Sequence, residues 1–406
     1  MAVLIAMRTI QAFGASVAFT LGSGTIADMY DTHERGARVG LFYAVPLLGP
    51  SIGPMLGGIV VQVWSWRATF WLMVILAGLS MAMFLLFKET FRKERSLAYQ
   101  SAQKRAVSRN QSRLQSAQLS RVHSRDEKTP RTVMMGDHHV SHLQDLEKGT
   151  PVSQEEAKQV KPTFADINPI GPAWKILKQK SNIVVLLASG SFFGFSYGIC
   201  YTCARTFAAP PYSYNALKVG SVLLSFGLGN VTGSILGGKW SDRILSRLKA
   251  ANGGVSKPEF RLESTIPAMV VLPLAVLAYG WTCHLHVHVA APVVSLFIAG
   301  FCLLWAYSST LAYIVDSNPG RASGATAMNS TFRGLAGLLI AEVSGPIQDS
   351  IGDGGLYSIW GGILYLVAGT LFLLSKKGAA WRDNEEQLRL KKQLEKLEKS
   401  QRSESK

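Results

Sequence analysis

Charge is scarce in this chain. Asp, Glu, Lys and Arg make up 17% of its 406 residues, against about a quarter in soluble domains. Acidic residues are scarcer still: 26 face 42 basic ones, a formal balance of +16. There are four cysteines, Cys200, Cys203, Cys283 and Cys302. Cys200 and Cys203 form a CxxC inside an apolar run with no second ligand pair, so they read as small buried residues, not a metal or redox centre. The chain holds no GxxxxGK[ST] loop, which leaves ATP-driven work by this chain alone unsupported. HExxH is missing, and so is a GxSxG with plausible partners, so no catalytic constellation and no cofactor is expected.

Long apolar stretches are what the chain has instead. Hydrophobic residues make up 48% of it, and Gly at 38 and Trp at 9 suit membrane helices and their interfaces. Several stretches reach the roughly 20 residues that cross a hydrocarbon core, which a soluble protein with buried helices does not need. Nine spans are expected, near 3–26, 39–61, 68–87, 181–202, 217–239, 264–283, 289–312, 323–344 and 355–375. The first does not read as a typical signal peptide, because Arg8 lies inside the apolar run and no small polar cleavage region closes it.

The connecting loops alternate in charge. Basic residues cluster at Arg35 and Arg38, from Arg92 to Arg113, from Lys239 to Arg261, and at Arg321. The intervening turns carry few bases; the one near 345–354 holds Asp349 and Asp353 and none. Cytoplasmic loops concentrate Lys and Arg, which predicts an outside N-terminus and a cytoplasmic C-terminus. The surplus of positive charge therefore needs no nucleic-acid partner. His284, His286 and His288 sit in one short turn at a spacing that is a weak metal signal.

One pattern occurs twice. An apolar span ends in Ile26-Ala27-Asp28 and a loop with Arg35 follows; later a span ends in Ile314-Val315-Asp316 and a loop with Arg321 follows. Three further apolar spans precede the second copy within its half and none precede the first. The expected organisation is a partial N-terminal bundle at 1–87, a largely disordered cytoplasmic linker at 88–180, a six-helix bundle at 181–380 and a charged cytoplasmic tail at 381–406. The linker is polar and poor in aromatics, and the tail spaces Leu388, Leu390, Leu394 and Leu397 among charges, as a short surface helix does.

Within the spans, several polar or small residues stand out. Arg8 and Gln11 share a helix face; a charge there faces protein or an aqueous cavity, unless it snorkels to the interface. Gly49, Pro50, Gly53, Pro54, Gly57 and Gly58 form a GP-GP-GG series, which lets a neighbouring helix approach closely and bends its own. Gly238, Asp242 and Arg243 end the fifth span, where they form a charge latch or a plain solvated helix end. Asn329, Arg333 and Glu342 lie in the eighth span; Arg333 and Glu342 are nine residues apart and cannot pair. Glu342 is a candidate proton carrier or a structural hydrogen-bonding group near the outer boundary.

Together these residues resemble the major facilitator superfamily, and more narrowly the fungal drug:proton antiporters of the twelve-helix type. Arg8, Gln11, Gly14 and Ala15 look like that family's fourth-helix motif, 49–58 like the antiporter motif of the fifth helix, and 238–243 like the second copy of the loop motif. Ile26–Tyr30, Glu34–Gly36 and Trp66–Trp71 match the fungal subgroup. The resemblance implies an all-α membrane fold of two six-helix bundles around a cavity, worked by alternating access. Here the fold is expected to be incomplete, with about nine transmembrane helices, because the first three helices of the family have no counterpart before Met1.

The function so implied is export of small organic compounds or drugs in exchange for protons, by a monomer in the lipid bilayer of the plasma membrane. Arg8, Gln11, Asn329, Arg333 and Glu342 would line the cavity or couple protons. The glycines and prolines of 49–58 would shape a moving helix. Asp28, Arg35, Gly238, Asp242, Arg243, Asp316 and Arg321 would form the cytoplasmic gate. A uniporter or proton symporter of the same fold, and a truncated protein that does not transport, stay open alongside it.

Overall fold

The computed structural model describes residues 2–29, 42, 49, 52–86, 174, 176–254, 257–318 and 322–404. The expected linker at 88–180 lies almost wholly outside the described residues, as do Arg35, Pro50 and Arg321. The described elements are all helical: α1 (Ala2–Met29), α2 (Ile52–Val63), α3 (Ala68–Leu85), α4 (Lys180–Ala208), α5 (Ala216–Ala251), α6 (Glu259–Glu263), α7 (Ile266–His284), α8 (Ala290–Asp316) and α9 (Ala322–Glu404).

Six helices among the described residues are long and apolar enough to cross a membrane. They are α3, α4, α5, α7, α8 and the stretch Gly324–Asn384 of α9. This corrects the expectation of about nine transmembrane helices. The expected spans 323–344 and 355–375 fall within the one apolar stretch Gly324–Asn384, as two helical arms on either side of the non-helical Gly352. In the expected spans 3–26 and 39–61 the apolar stretches found among the described residues are Val3–Ser16 and Ile52–Val63, and most of 39–51 lies outside the described residues.

Local chemistry sets these boundaries. Asn215 caps α5, its side-chain oxygen accepting from the Lys218 backbone N–H at 3.0 Å. Gly352 carries a φ of 69°, a left-handed conformation open to glycine and costly for any residue with a Cβ. The bend therefore falls where the sequence can form it. Beyond the second arm, α9 continues as helix through the charged tail to Glu404.

Helices α5 and α8 cross at backbone contact. A Cβ on Gly229 or Gly233 would run into the carbonyls of Phe297 and Phe301, and one on Gly300 into the carbonyl of Phe226. Lipid tails are as apolar as leucine, so close van der Waals approach through small residues drives such pairing. Helix α4 lies against the first arm of α9, with Gly190 beneath the Phe332 carbonyl and Gly194 and Gly198 against Ile340. Aromatic side chains fill the interior: Phe195 meets Phe226 and Trp360 edge-on at 6.4 and 5.5 Å, and Tyr279 meets Tyr357 at 4.8 Å.

Candidate functional site

The polar side chains of this bundle gather at its two ends and at one point between them. The first end joins the C-termini of α5 and α8, the short α6 and the far side of α9's second arm. The second joins the C-terminus of α4, the turns after α4 and α7, and the Gly352 bend.

At the first end, Arg261 of α6 is the hub. Its Nε donates to Asp316 Oδ2 at 2.6 Å, and a terminal nitrogen lies 3.9 Å from Asp242. Helices α5 and α8 are thus tied through one guanidinium. Asp242 and Asp316 belong to the expected gate; Arg261 does not, since in the sequence it is one loop charge among several. The signal that could have found it is Pro258-Glu259 just ahead of it, a helix start that turns loop 257–263 into a rigid mount. Arg243 is exposed, and a Cβ at Gly238 would meet nothing within 4 Å. Asp28 ends α1, but its side chain lies outside the described residues.

Two more ion pairs fix α6 to the second arm of α9. Arg382 donates to Glu259 at 2.8 Å and Lys376 to Glu263 at 2.7 Å. Glu259 is 3% exposed, so Arg382 compensates a buried carboxylate. Asn182 of α4 and Asn318, just beyond α8, exchange amide hydrogen bonds at 3.0 Å in both directions.

At the second end, Asp353 accepts from Thr206 at 2.9 and 3.0 Å and from Gln348 at 2.7 Å. Gln348 also donates to Thr206 at 3.0 Å, and Arg205 donates to Asp349 at 2.6 Å. Tyr357 and Thr202 share a hydrogen bond at 2.5 Å. Because Thr202 directs its single hydroxyl proton to the Gly198 carbonyl, Tyr357 is the donor. Desolvation raises the Tyr212 phenol in the adjoining turn, where its hydroxyl donates to the Val287 carbonyl at 2.8 Å. The three histidines of the turn do not converge: His286 meets Tyr212, His284 meets Trp281, and His288 accepts from Ala290. Among the described residues no three His, Cys, Asp or Glu side chains gather as a metal site.

The other expected residues separate. Arg8 donates to Gln11 at 2.8 Å on an exposed face of α1, with its guanidinium 5.1 Å from the Phe70 ring and 3.6 Å from Met73 Sδ of α3. Asn329 and Arg333 are buried one turn apart in the first arm of α9. Glu342 is exposed, and nine residues at about 100° each set it half a turn away from Arg333. The structure brings Asn329 and Arg333 together and leaves Glu342 apart.

The GP-GP-GG series divides as well. Gly49, Gly53 and Gly57 have open space where a Cβ would be. Gly58 instead lies against the Ala216 carbonyl and the Leu217 nitrogen, while Gly220 of α5 lies against Met55 and the Pro54 carbonyl. Each helix offers a glycine where the other's backbone arrives. The N-terminal segment and α5 touch through that reciprocal contact.

The family model of the Major Facilitator Superfamily matches residues 1–341. The chain belongs to the Major Facilitator Superfamily. It is a multi-pass membrane protein of a transporter family, which accounts for membrane helices without a catalytic constellation. MFS antiporter QDR3 of Candida albicans is 28% identical, over 94% of this chain and 66% of its own length. Quinidine resistance protein 3 of Saccharomyces cerevisiae is 23% identical, over 94% of this chain and 70% of its own. Citrate exporter 1 of Aspergillus niger is 25% identical, over 93% and 69%. The chain thus spans roughly two thirds of the length of these relatives.

Proposed function

We propose that this chain is a secondary transporter that exports small organic compounds across the plasma membrane in exchange for protons. One observation carries the reading: Arg261 ties α5 to α8 through Asp242 and Asp316 at the basic end. Alternating access needs a site closed at one end at a time, and ion pairs between helix ends are contacts that can form in one state and break in the other. The positive-inside rule makes this end, and with it the C-terminus, cytoplasmic. The reciprocal contact of Gly58 and Gly220 supports the same reading, because it lets 1–87 and 181–380 slide at backbone distance. In this reading those two segments are a partial and a six-helix bundle, 88–180 joins them in the cytoplasm, and 381–406 is a cytoplasmic tail.

The relatives' names cover quinidine resistance and citrate export, so both compounds serve as probes. The purified chain is reconstituted in liposomes with an imposed proton gradient, and labelled quinidine or citrate is followed. Antiport predicts that the compound moves against the proton flux and that a protonophore abolishes its accumulation. Movement with the protons would make it a symporter, movement unaffected by the gradient a uniporter, and no movement of any compound would reject transport by this chain.

A further inference from the structure

Arg333 is the one cation of the described bundle interior that has no anionic partner. It lies eleven residues into α9, roughly 16 Å along the helix from its start, which is near the middle of a hydrocarbon core about 30 Å thick. The residue is 8% exposed. Its guanidinium carbon sits 4.2 Å from the Phe193 ring centroid of α4 and 5.6 Å from that of Tyr307 of α8. Its Nε and the Tyr307 hydroxyl are both enclosed with no hydrogen-bond partner.

The described carboxylates of the bundle are committed elsewhere. Asp242, Asp316, Glu259 and Glu263 are ion-paired at the basic end. Asp349 pairs with Arg205, and Asp353 is held by Thr206 and Gln348. Glu342 points from the opposite face of the same helix. A buried cation without a counter-charge is costly. Aromatic rings offset part of that cost through the guanidinium face but leave its in-plane N–H groups free. Those N–H groups form a fork that matches a carboxylate.

We propose that Arg333 is the anion-recognition residue of the transport site, and that the substrate is an organic carboxylate with an apolar body lying along Phe193 and Tyr307. Asn329, 2% exposed and one turn below, supplies an amide to a second polar group of the same compound. The substrate assignment rests on the transporter reading above; the binding site does not, and the test separates them.

Benzoate and its neutral isostere benzamide are titrated into the purified 406-residue chain in detergent and followed by calorimetry. Benzoate is expected to bind about ten- to hundredfold more tightly, the range of a charge-assisted hydrogen bond. Arg333→Gln is expected to abolish the preference, and Arg333→Lys to retain part of it. Equal binding of the two probes, or binding of neither, overturns the proposal without any variant, so a misfolded Arg333→Gln protein leaves the test intact. A folded Arg333→Gln protein that keeps the preference also overturns it. In liposomes, quinidine movement without a benzoate preference sinks the carboxylate assignment and leaves transport standing. A benzoate preference lost in Arg333→Gln with no compound moved sinks transport and leaves the site standing.

Discussion

The two ends of the α4–α9 bundle are held together by different physics. At the basic end, Arg261, Lys376 and Arg382 each reach across to carboxylates on other elements. At the opposite end, Asp353 is held by the neutral donors of Thr206 and Gln348, with one ion pair, Arg205 to Asp349, at its rim. Ion pairs between partly exposed groups weaken as salt rises. Hydrogen bonds from a hydroxyl and an amide to one carboxylate have little such dependence and fall off steeply with geometry. The basic end is therefore suited to opening and the acidic end to holding its shape.

Five substitutions break or sharpen this contrast, and the largest effect lies between the ends. Gly233→Leu places a side chain against the Phe301 backbone, where neither helix can yield. Overpacking costs about 1–3 kcal/mol in a compact core, and this contact sits at the upper limit. The expected outcome is loss of a monodisperse peak in detergent at low and high salt alike. A variant that stays monodisperse would mean that α5 and α8 move apart freely, and that the ends do not share a rigid middle.

Next in size is Asp353→Ala, which removes the acceptor for both Thr206 and Gln348 and leaves the Gln348 amide within a half-buried site. Losing charge-assisted hydrogen bonds of this kind costs about 2–3 kcal/mol. The thermal midpoint should fall by the same amount at low salt and at about 1 M salt, where the screening length is near 3 Å. Arg261→Gln should cost less, about 1–2 kcal/mol, since Asp316 is 43% exposed and the Asp242 contact is long. Its deficit should shrink at high salt, because the wild-type pair is itself screened there. Equal salt responses in the two variants would erase the distinction between the ends.

Much of this frame was legible in the sequence. Apolar runs place α3, α4, α5, α7 and α8, and the sequence singles out Asp242 and Asp316, the two carboxylates that Arg261 meets. The number of long spans was not legible. Hydropathy registers 323–344 and 355–375 as separate runs, and the backbone shows them following one another with a bend at Gly352 and no loop between. The hub of the latch escaped for a related reason. Arg261 is one of six bases between 239 and 261, and which of them meets Asp316 depends on the five-residue α6, too short for a periodic signal. Phe193 and Tyr307 read as ordinary core aromatics, since their approach to Arg333 joins α4, α8 and α9 across more than a hundred residues.

The smallest expected effect tests how the basic end is divided. Lys376 and Arg382 both dock the second arm of α9 on α6, but Lys376 is 56% exposed, whereas Glu259, the partner of Arg382, is buried. A flexible ammonium at the surface loses side-chain entropy on pairing and is screened by salt, so Lys376→Ala should cost at most about 0.5–1 kcal/mol. Arg382→Ala should cost more, because it strands a buried carboxylate. The comparison is thermal midpoints of the two variants beside Arg261→Gln at low salt. If Lys376→Ala falls as far as Arg261→Gln, the second arm of α9 closes the basic end as much as the latch between α5 and α8 does. If it barely moves, the closing contact is Arg261, and Lys376 only steadies the helix that carries it.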